Sequence, residues 1–131
     1  MIGLLIVTHC DLGKELLKAA EFIVGRIDAA DSISINQVSD SEEIRKSIEK
    51  KVTALDNGQG VLILTDMFGG TPSNISLSFL KEEMVEVLTG VNLPMVISIV
   101  QNRAGMSLDE LAEKAQEAGK TSISLAGKML E

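Results

Sequence analysis

The chain has 131 residues, 45% of them apolar, one cysteine and a formal charge of −7, which suits one domain able to bury a core without cross-links. No stretch is long and apolar enough to cross a bilayer. The first apolar run lacks the flanks of a signal peptide, and a lone cysteine fits a reducing compartment, so a cytoplasmic protein is expected. The acidic balance argues against nucleic acid and anionic membranes, and with no Trp or Tyr and only Phe22, Phe68 and Phe79 there is almost no stacking surface for bases or sugar rings.

Residues 2–7 read as a short buried strand. Residues 12–24 follow as a helix, with Leu12, Leu16, Leu17, Ala20 and Ile23 on one stripe and Gly25 as its stop. Residues 32–38 alternate as a second strand. Ser39 or Ser41 is the expected cap of a helix to about Leu55, with Glu42 and Glu43 in the first turn, where the dipole favours them. Residues 61–64 form the most apolar strand, and Thr71 is the expected N-cap of a helix through Leu80 with Pro72 in its first turn. Residues 85–88 read as a fourth strand. Residues 96–100 carry β-branched residues and a helical stripe at once; the Asn92-Leu-Pro94 start decides for a helix. Ser107-Leu-Asp-Glu110 is a capping box opening a helix that Gly119 is expected to stop near Ala118, and residues 121–125 read as a last strand. Strand–helix alternation predicts a doubly wound, three-layer α/β/α sandwich of about five strands in a single domain.

His9 is the chain's sole histidine. It stands where the first strand gives way to a helix, and Asp66 stands where the third strand ends. In an open parallel sheet both strand ends face the crevice in which such folds bind ligands. A neutral imidazole can attack through one nitrogen while the other donates to a carboxylate that fixes its tautomer. A carboxylate at a buried strand end needs such a partner. After Asp66 come Gly69 and Gly70, which let backbone approach a ligand, and Thr71 and Ser73 with the start of the Pro72 helix, which together make a plausible anion cradle. There is no Gly-x-x-x-x-Gly-Lys-Ser/Thr loop and no Gly-x-Gly-x-x-Gly fingerprint, so a self-sufficient kinase or dinucleotide enzyme is not expected. What remains is a histidine that accepts a phosphoryl group from one protein and gives it to another.

At these residues the chain resembles the IIA component of the mannose family of the bacterial phosphoenolpyruvate-dependent sugar phosphotransferase system. The matching pieces are Leu5-Ile-Val-Thr-His9, Asp66-Met-Phe-Gly-Gly-Thr-Pro-Ser-Asn74, Thr89-Gly-Val-Asn-Leu-Pro-Met95 and residues 108–119. The resemblance implies a mostly parallel sheet with one antiparallel edge strand. It implies a phosphotransferase in which His9 carries the phosphoryl group on Nε2 and Asp66 takes the Nδ1 hydrogen bond. Gly69, Gly70, Thr71 and Ser73 hold the phosphate in this reading, while residues 89–92 border the site without an assigned role. It further implies the basic-surfaced carrier HPr as donor, a IIB component on a separate chain as acceptor, a homodimer that in some members exchanges the last strand, and neither cofactor nor tightly bound metal. The sugar is not encoded here.

Cys10 and Asp11 depart from the family pattern; Asp11 is expected to cap the first helix, and Cys10 to be inert packing. Three other readings stay open. One is a non-enzymatic switch whose phosphorylation a partner senses. Another is a zinc site of His9, Cys10, Asp11 and Asp66. The third is phosphorylation of Asp66 itself, against which the first strand lacks an acidic pair and Lys120 precedes the last predicted strand.

Overall fold

Four strands and the helices between them follow the alternation of the sequence. A computed structural model describes residues 1–36 and 40–130. The first half runs β1 (Gly3–His9), α1 (Leu12–Val24), β2 (Ala30–Ile35), α2 (Ser41–Leu55) and β3 (Val61–Thr65). The second runs α3 (Thr71–Leu77), β4 (Val85–Thr89), α4 (Leu93–Asn102), α5 (Leu108–Thr121) and α6 (Ala126–Met129). The expected end of the second strand at Val38 and the candidate cap Ser39 lie outside the described residues.

The strands are parallel in the order β2-β1-β3-β4. The pleat sends Leu4, Ile6, Leu62 and Leu64 to one face, where they meet Ala20 of α1, Met95, Val96 and Ile99 of α4, and Leu111 and Ala115 of α5. Leu5, Val7, Val61 and Ile63 point the other way onto Ile44 and Ile48 of α2 and Ile75 beyond them. Three layers result, and β1 and β3, buried on both faces, are aliphatic from Leu4 to Val7 and from Val61 to Leu64. The helices flanking β2 lie on opposite faces, so the winding reverses between β1 and β3. That reversal is the topological switch point, where loops diverge and leave a crevice.

Local chemistry sets the ends. Asn92 accepts the Met95 N–H at 3.0 Å, and the helix chosen for residues 96–100 is present as α4. Ser107 and Glu110 form the reciprocal capping box. Gly25 ends α1 at φ 89°. Other termini differ from expectation. The cap of α2 is Asp40, whose carboxylate accepts the Glu42 N–H, and Ser41 is the first helical residue. The cap of α3 is Gly70, with Thr71 inside, and the helix ends at Leu77 instead of Leu80. Asp11 occupies the N-cap of α1 without a side-chain bond; the Thr8 hydroxyl accepts the Gly13 N–H at 2.8 Å instead. The inner stripe of α1 is Gly13, Leu17, Ala20 and Val24, while Leu12 and Ile23 are exposed. Gly13 rides on Ile6, and this close approach rotates the helix away from the stripe expected.

The predicted strand at residues 121–125 is absent. Helix α5 runs through Gly119, which packs against Met95, and on to Thr121. The Ser122 and Ile123 amides then donate back to Ala118 and Lys120, and the chain turns into α6. Among the described residues the sheet has four strands, and its antiparallel pairing is limited to an isolated bridge between Lys81 and Val85. The alternation of Ile123 and Leu125 pairs with no strand among the described residues; these residues are 79% and 67% exposed. No helix among the described residues is long and apolar enough to cross a membrane.

Candidate active site

The site is built from the carboxyl ends of the two central strands. Thr8, fully buried, shapes the turn after β1: its hydroxyl accepts from Gly13 N–H and donates to the Cys10 carbonyl at 3.3 Å. Cys10 takes a left-handed φ of 50° and donates its N–H to Ile35 of β2 at 2.9 Å. This abrupt bend leaves His9 at the last position of β1 with its side chain 48% exposed. Cys10 itself is exposed, and so is not the buried packing residue expected.

Asp66 follows β3 directly, and its side chain is 13% exposed. Its Oδ2 accepts twice from His9, from the main-chain N–H at 3.0 Å and from Nδ1 at 2.8 Å. Its Oδ1 accepts the Met67 N–H at 3.0 Å. Burial pushes the carboxyl pKa up, but the hydrogen bonds and charge of His9 outweigh it, and the net shift is downward. A carboxylate is acceptor-only, so the ring nitrogen facing it must be the donor. In the neutral ring Nδ1 therefore holds the proton, and the lone pair is on Nε2, on the far side of the ring.

Gly70 lies next to that far side. A Cβ built there would stand 3.0 Å from His9 Cε1 and 3.6 Å from Nε2. Any side chain would crowd the lone pair, so the absence of one is a property of the site. Gly69 takes φ 85° in open space, and Thr71 is exposed at the start of α3. Asn74 ties the loop down, with its N–H on the Gly70 carbonyl at 2.9 Å and its Nδ2 on the Gly69 carbonyl at 3.3 Å. Sequence reasoning missed this clamp, although an Asn four residues past a glycine at a helix start is a readable signal.

The structure brings together His9, Asp66, Gly70 and the exposed Gly69 and Thr71. It does not bring Ser73 to that surface: its hydroxyl is fully buried and without a partner. Facing inward on α3 puts it in a layer with Ser76, which is also buried and unpartnered, as is Thr65 at the end of β3. Among the described residues no group of three or more His, Cys, Asp or Glu side chains is arranged to hold a metal ion.

Fold and site together define a doubly wound α/β domain with an oriented, half-exposed imidazole at its switch point. The family model described as EIIA-man, PTS system fructose IIA component, matches residues 3–116. The mannose-specific EIIAB component of the phosphotransferase system of Escherichia coli K12 is 32% identical over 124 residues, covering 93% of this chain and 38% of that protein. The chain thus spans under two fifths of the length of such EIIAB relatives. The sorbose-specific EIIA component of Lacticaseibacillus casei is 31% identical over 127 residues, covering 92% of this chain and 90% of that one. Among solved structures, EIIA from Streptococcus agalactiae superposes with a TM-score of 0.89 at 26% identity, covering 98% of this chain and 99% of its own. The IIA protein associated with the fucose utilization operon of Streptococcus pneumoniae gives 0.84 at 28% identity, covering 98% and 96%. The chain belongs to the mannose family of IIA components of the sugar phosphotransferase system.

Proposed function

We propose that this chain is one mannose-type IIA domain, residues 1–131, that accepts a phosphoryl group from HPr on His9 Nε2 and passes it to a IIB component, coupling to sugar uptake and phosphorylation. The observation that carries this reading is the 2.8 Å contact between Asp66 Oδ2 and His9 Nδ1. It leaves the Nε2 lone pair free and directed away from the carboxylate. That lone pair attacks the phosphorus of the donor's phosphohistidine. A P–N bond forms at Nε2 as the donor's P–N bond breaks, and the donor imidazole leaves with the electron pair. Asp66 stabilises the positive charge that develops on the ring, with the Nδ1 proton held in place throughout. The same steps in reverse hand the group to the acceptor. The amides of the exposed Gly69 and the half-buried Gly70, with the Thr71 hydroxyl, receive the phosphate oxygens; Ser73 lies beneath them as support. Family membership favours HPr as donor, and the charge of −7 suits a basic partner. The lack of any nucleotide-binding loop fits a carrier that takes its phosphate from protein.

A homodimer is part of the same proposal. Among the described residues the outer edge of β4 carries no strand, and a bare edge is a template for pairing. The exposed apolar segment around Ile123, Leu125, Met129 and Leu130 supplies a fifth, antiparallel strand to β4 of a second copy. Light scattering on the full chain and on a variant ending at Thr121 tests this: a dimer reduced to a monomer by truncation supports it, and an unchanged mass refutes it.

The carrier reading is tested by intact-mass spectrometry after incubation with phosphoenolpyruvate, magnesium, Enzyme I and HPr. One acid-labile phosphate on the wild type and none on His9→Ala is expected. A hydroxylamine-labile, acid-stable phosphate that survives His9→Ala refutes the reading and puts the group on Asp66.

A further inference from the structure

Residues 89–92, Thr-Gly-Val-Asn, have no task in the chemistry above, yet their backbone grips the strand that carries Asp66. The Thr65 carbonyl oxygen is the last acceptor of β3. It receives the Gly90 N–H and the Val91 N–H, both at 3.0 Å. That carbonyl and the Asp66 N–H belong to one planar peptide unit. A single donor leaves such a plane free to rock about the hydrogen bond. Two donors arriving from different directions fix its tilt, and with it the departure of the Asp66 Cα.

Successive amides converge on one oxygen where the backbone between them enters the left-handed region, and Gly90 has φ 87°. A Cβ at Gly90 would meet no atom within 4 Å, so backbone conformation, not space, calls for glycine. The turn is braced at both ends. Thr89 stands opposite Thr65 in the β3–β4 register. Asn92 accepts the Met95 N–H at 3.0 Å and donates from Nδ2 to the Gly119 carbonyl at 3.1 Å, which ties the turn to α4 and α5. On its other side Asp66 runs into the glycine loop, which is held at the Gly69 and Gly70 carbonyls by Asn74. On the strand side, the backbone of Asp66 is anchored by the peptide that Gly90 and Val91 hold.

We propose that residues 89–92 are a positioning element for the site: the Gly90 and Val91 amides orient the Thr65–Asp66 peptide so that Asp66 holds His9 as its Nδ1–H tautomer. The proposal rests on the reading of His9 as the phosphoryl acceptor, but it is tested on the ring itself. Because His9 is the sole histidine, selective ¹⁵N labelling gives one pair of imidazole signals. In the wild type these should report a single Nδ1–H tautomer, and Asp66→Asn supplies the spectrum of a ring without its orienting carboxylate. Gly90→Val places a β-branched residue where positive φ is disfavoured; Gly90→Asn keeps a residue that tolerates it. Gly90→Val should move the signals toward those of Asp66→Asn and slow phosphate acceptance from HPr by roughly ten- to a hundredfold, while Gly90→Asn recovers the wild-type spectrum. Gly90→Ala is the milder variant should valine prevent folding, and thermal melting verifies that each is folded. A folded Gly90→Val or Gly90→Ala with wild-type ring signals overturns the proposal, since a merely structural turn lowers stability without touching the tautomer. If the signals move but the wild type takes no phosphate, positioning stands and the carrier reading fails.

Discussion

At the scale of single residues, the pair His9 and Asp66 divides one imidazole into two unlike nitrogens. Asp66→Asn keeps the shape of the acceptor but can turn an NH₂ toward Nδ1, which repels the N–H and favours the wrong tautomer. Phosphate acceptance should fall by about 10²- to 10⁴-fold, the usual range for a misplaced acid–base partner, with the fold retained by circular dichroism. The same substitution has a pH signature. The Asp66 carboxyl titrates below its ordinary value in the folded protein because of its bonds to His9, so the folded state binds the proton less well than the unfolded one. Its contribution to stability is thus present above the ordinary aspartate range and fades as pH falls through the lowered folded value. Urea midpoints of wild type and Asp66→Asn should differ throughout the range above about pH 4 and converge only as pH falls through the lowered folded value. Gly70→Ala probes the other nitrogen. Its φ of −83° is ordinary for alanine, so the backbone tolerates the change. The added methyl meets Cε1 at 3.0 Å and must push the ring aside, which should lower transfer by about tenfold or more at little cost in melting temperature. Transfer at the wild-type rate would mean that the loop, not the ring, yields.

At the scale of elements, short-range chemistry was readable where a side chain and a backbone amide stand at the spacing of a familiar capping motif. The capping box at Ser107 and the Asn92 cap both follow from spacing alone, and Ser107→Ala should cost about 1 kcal/mol by denaturant unfolding. Asp11 stands at the N-cap of α1 as expected, but its side chain makes no capping bond; Thr8, five residues before its partner Gly13, takes that N–H instead. Nothing local distinguishes them; the turn at Cys10 decides, and a left-handed cysteine has no sequence signature. Ser73 looked like a phosphate ligand because it adjoins Thr71 and Pro72, but α3 begins one residue earlier than expected and turns it inward. The alternation at residues 121–125 is a true period-two pattern. A strand, however, is a relation between two segments, and a period in one of them says only that an edge would suit it.

At the scale of the molecule, the alternation of elements set the layers and the sole histidine marked the switch point, so the location of the candidate site was readable; its bracing by residues 89–92 was not, because backbone hydrogen bonds from Gly90 and Val91 back to Thr65 leave no trace in side-chain pattern. The charge of −7 makes a claim about association instead. Attraction between an acidic carrier and a basic donor raises the encounter rate, and salt screens it over a Debye length of about 10 Å at 0.1 M. The rate of phosphate acceptance from HPr at limiting concentration should therefore fall by about tenfold between low and half-molar salt. Chemical phosphorylation of His9 by a small phosphoramidate lacks a protein encounter and should change far less, which separates steering from any effect of salt on the site. The alternative is apolar docking: Met67 and Phe68 beside the site are exposed, Phe68 by 73%. If those residues dominate, the HPr rate holds or rises with salt, and Phe68→Ala, not ionic strength, abolishes the encounter.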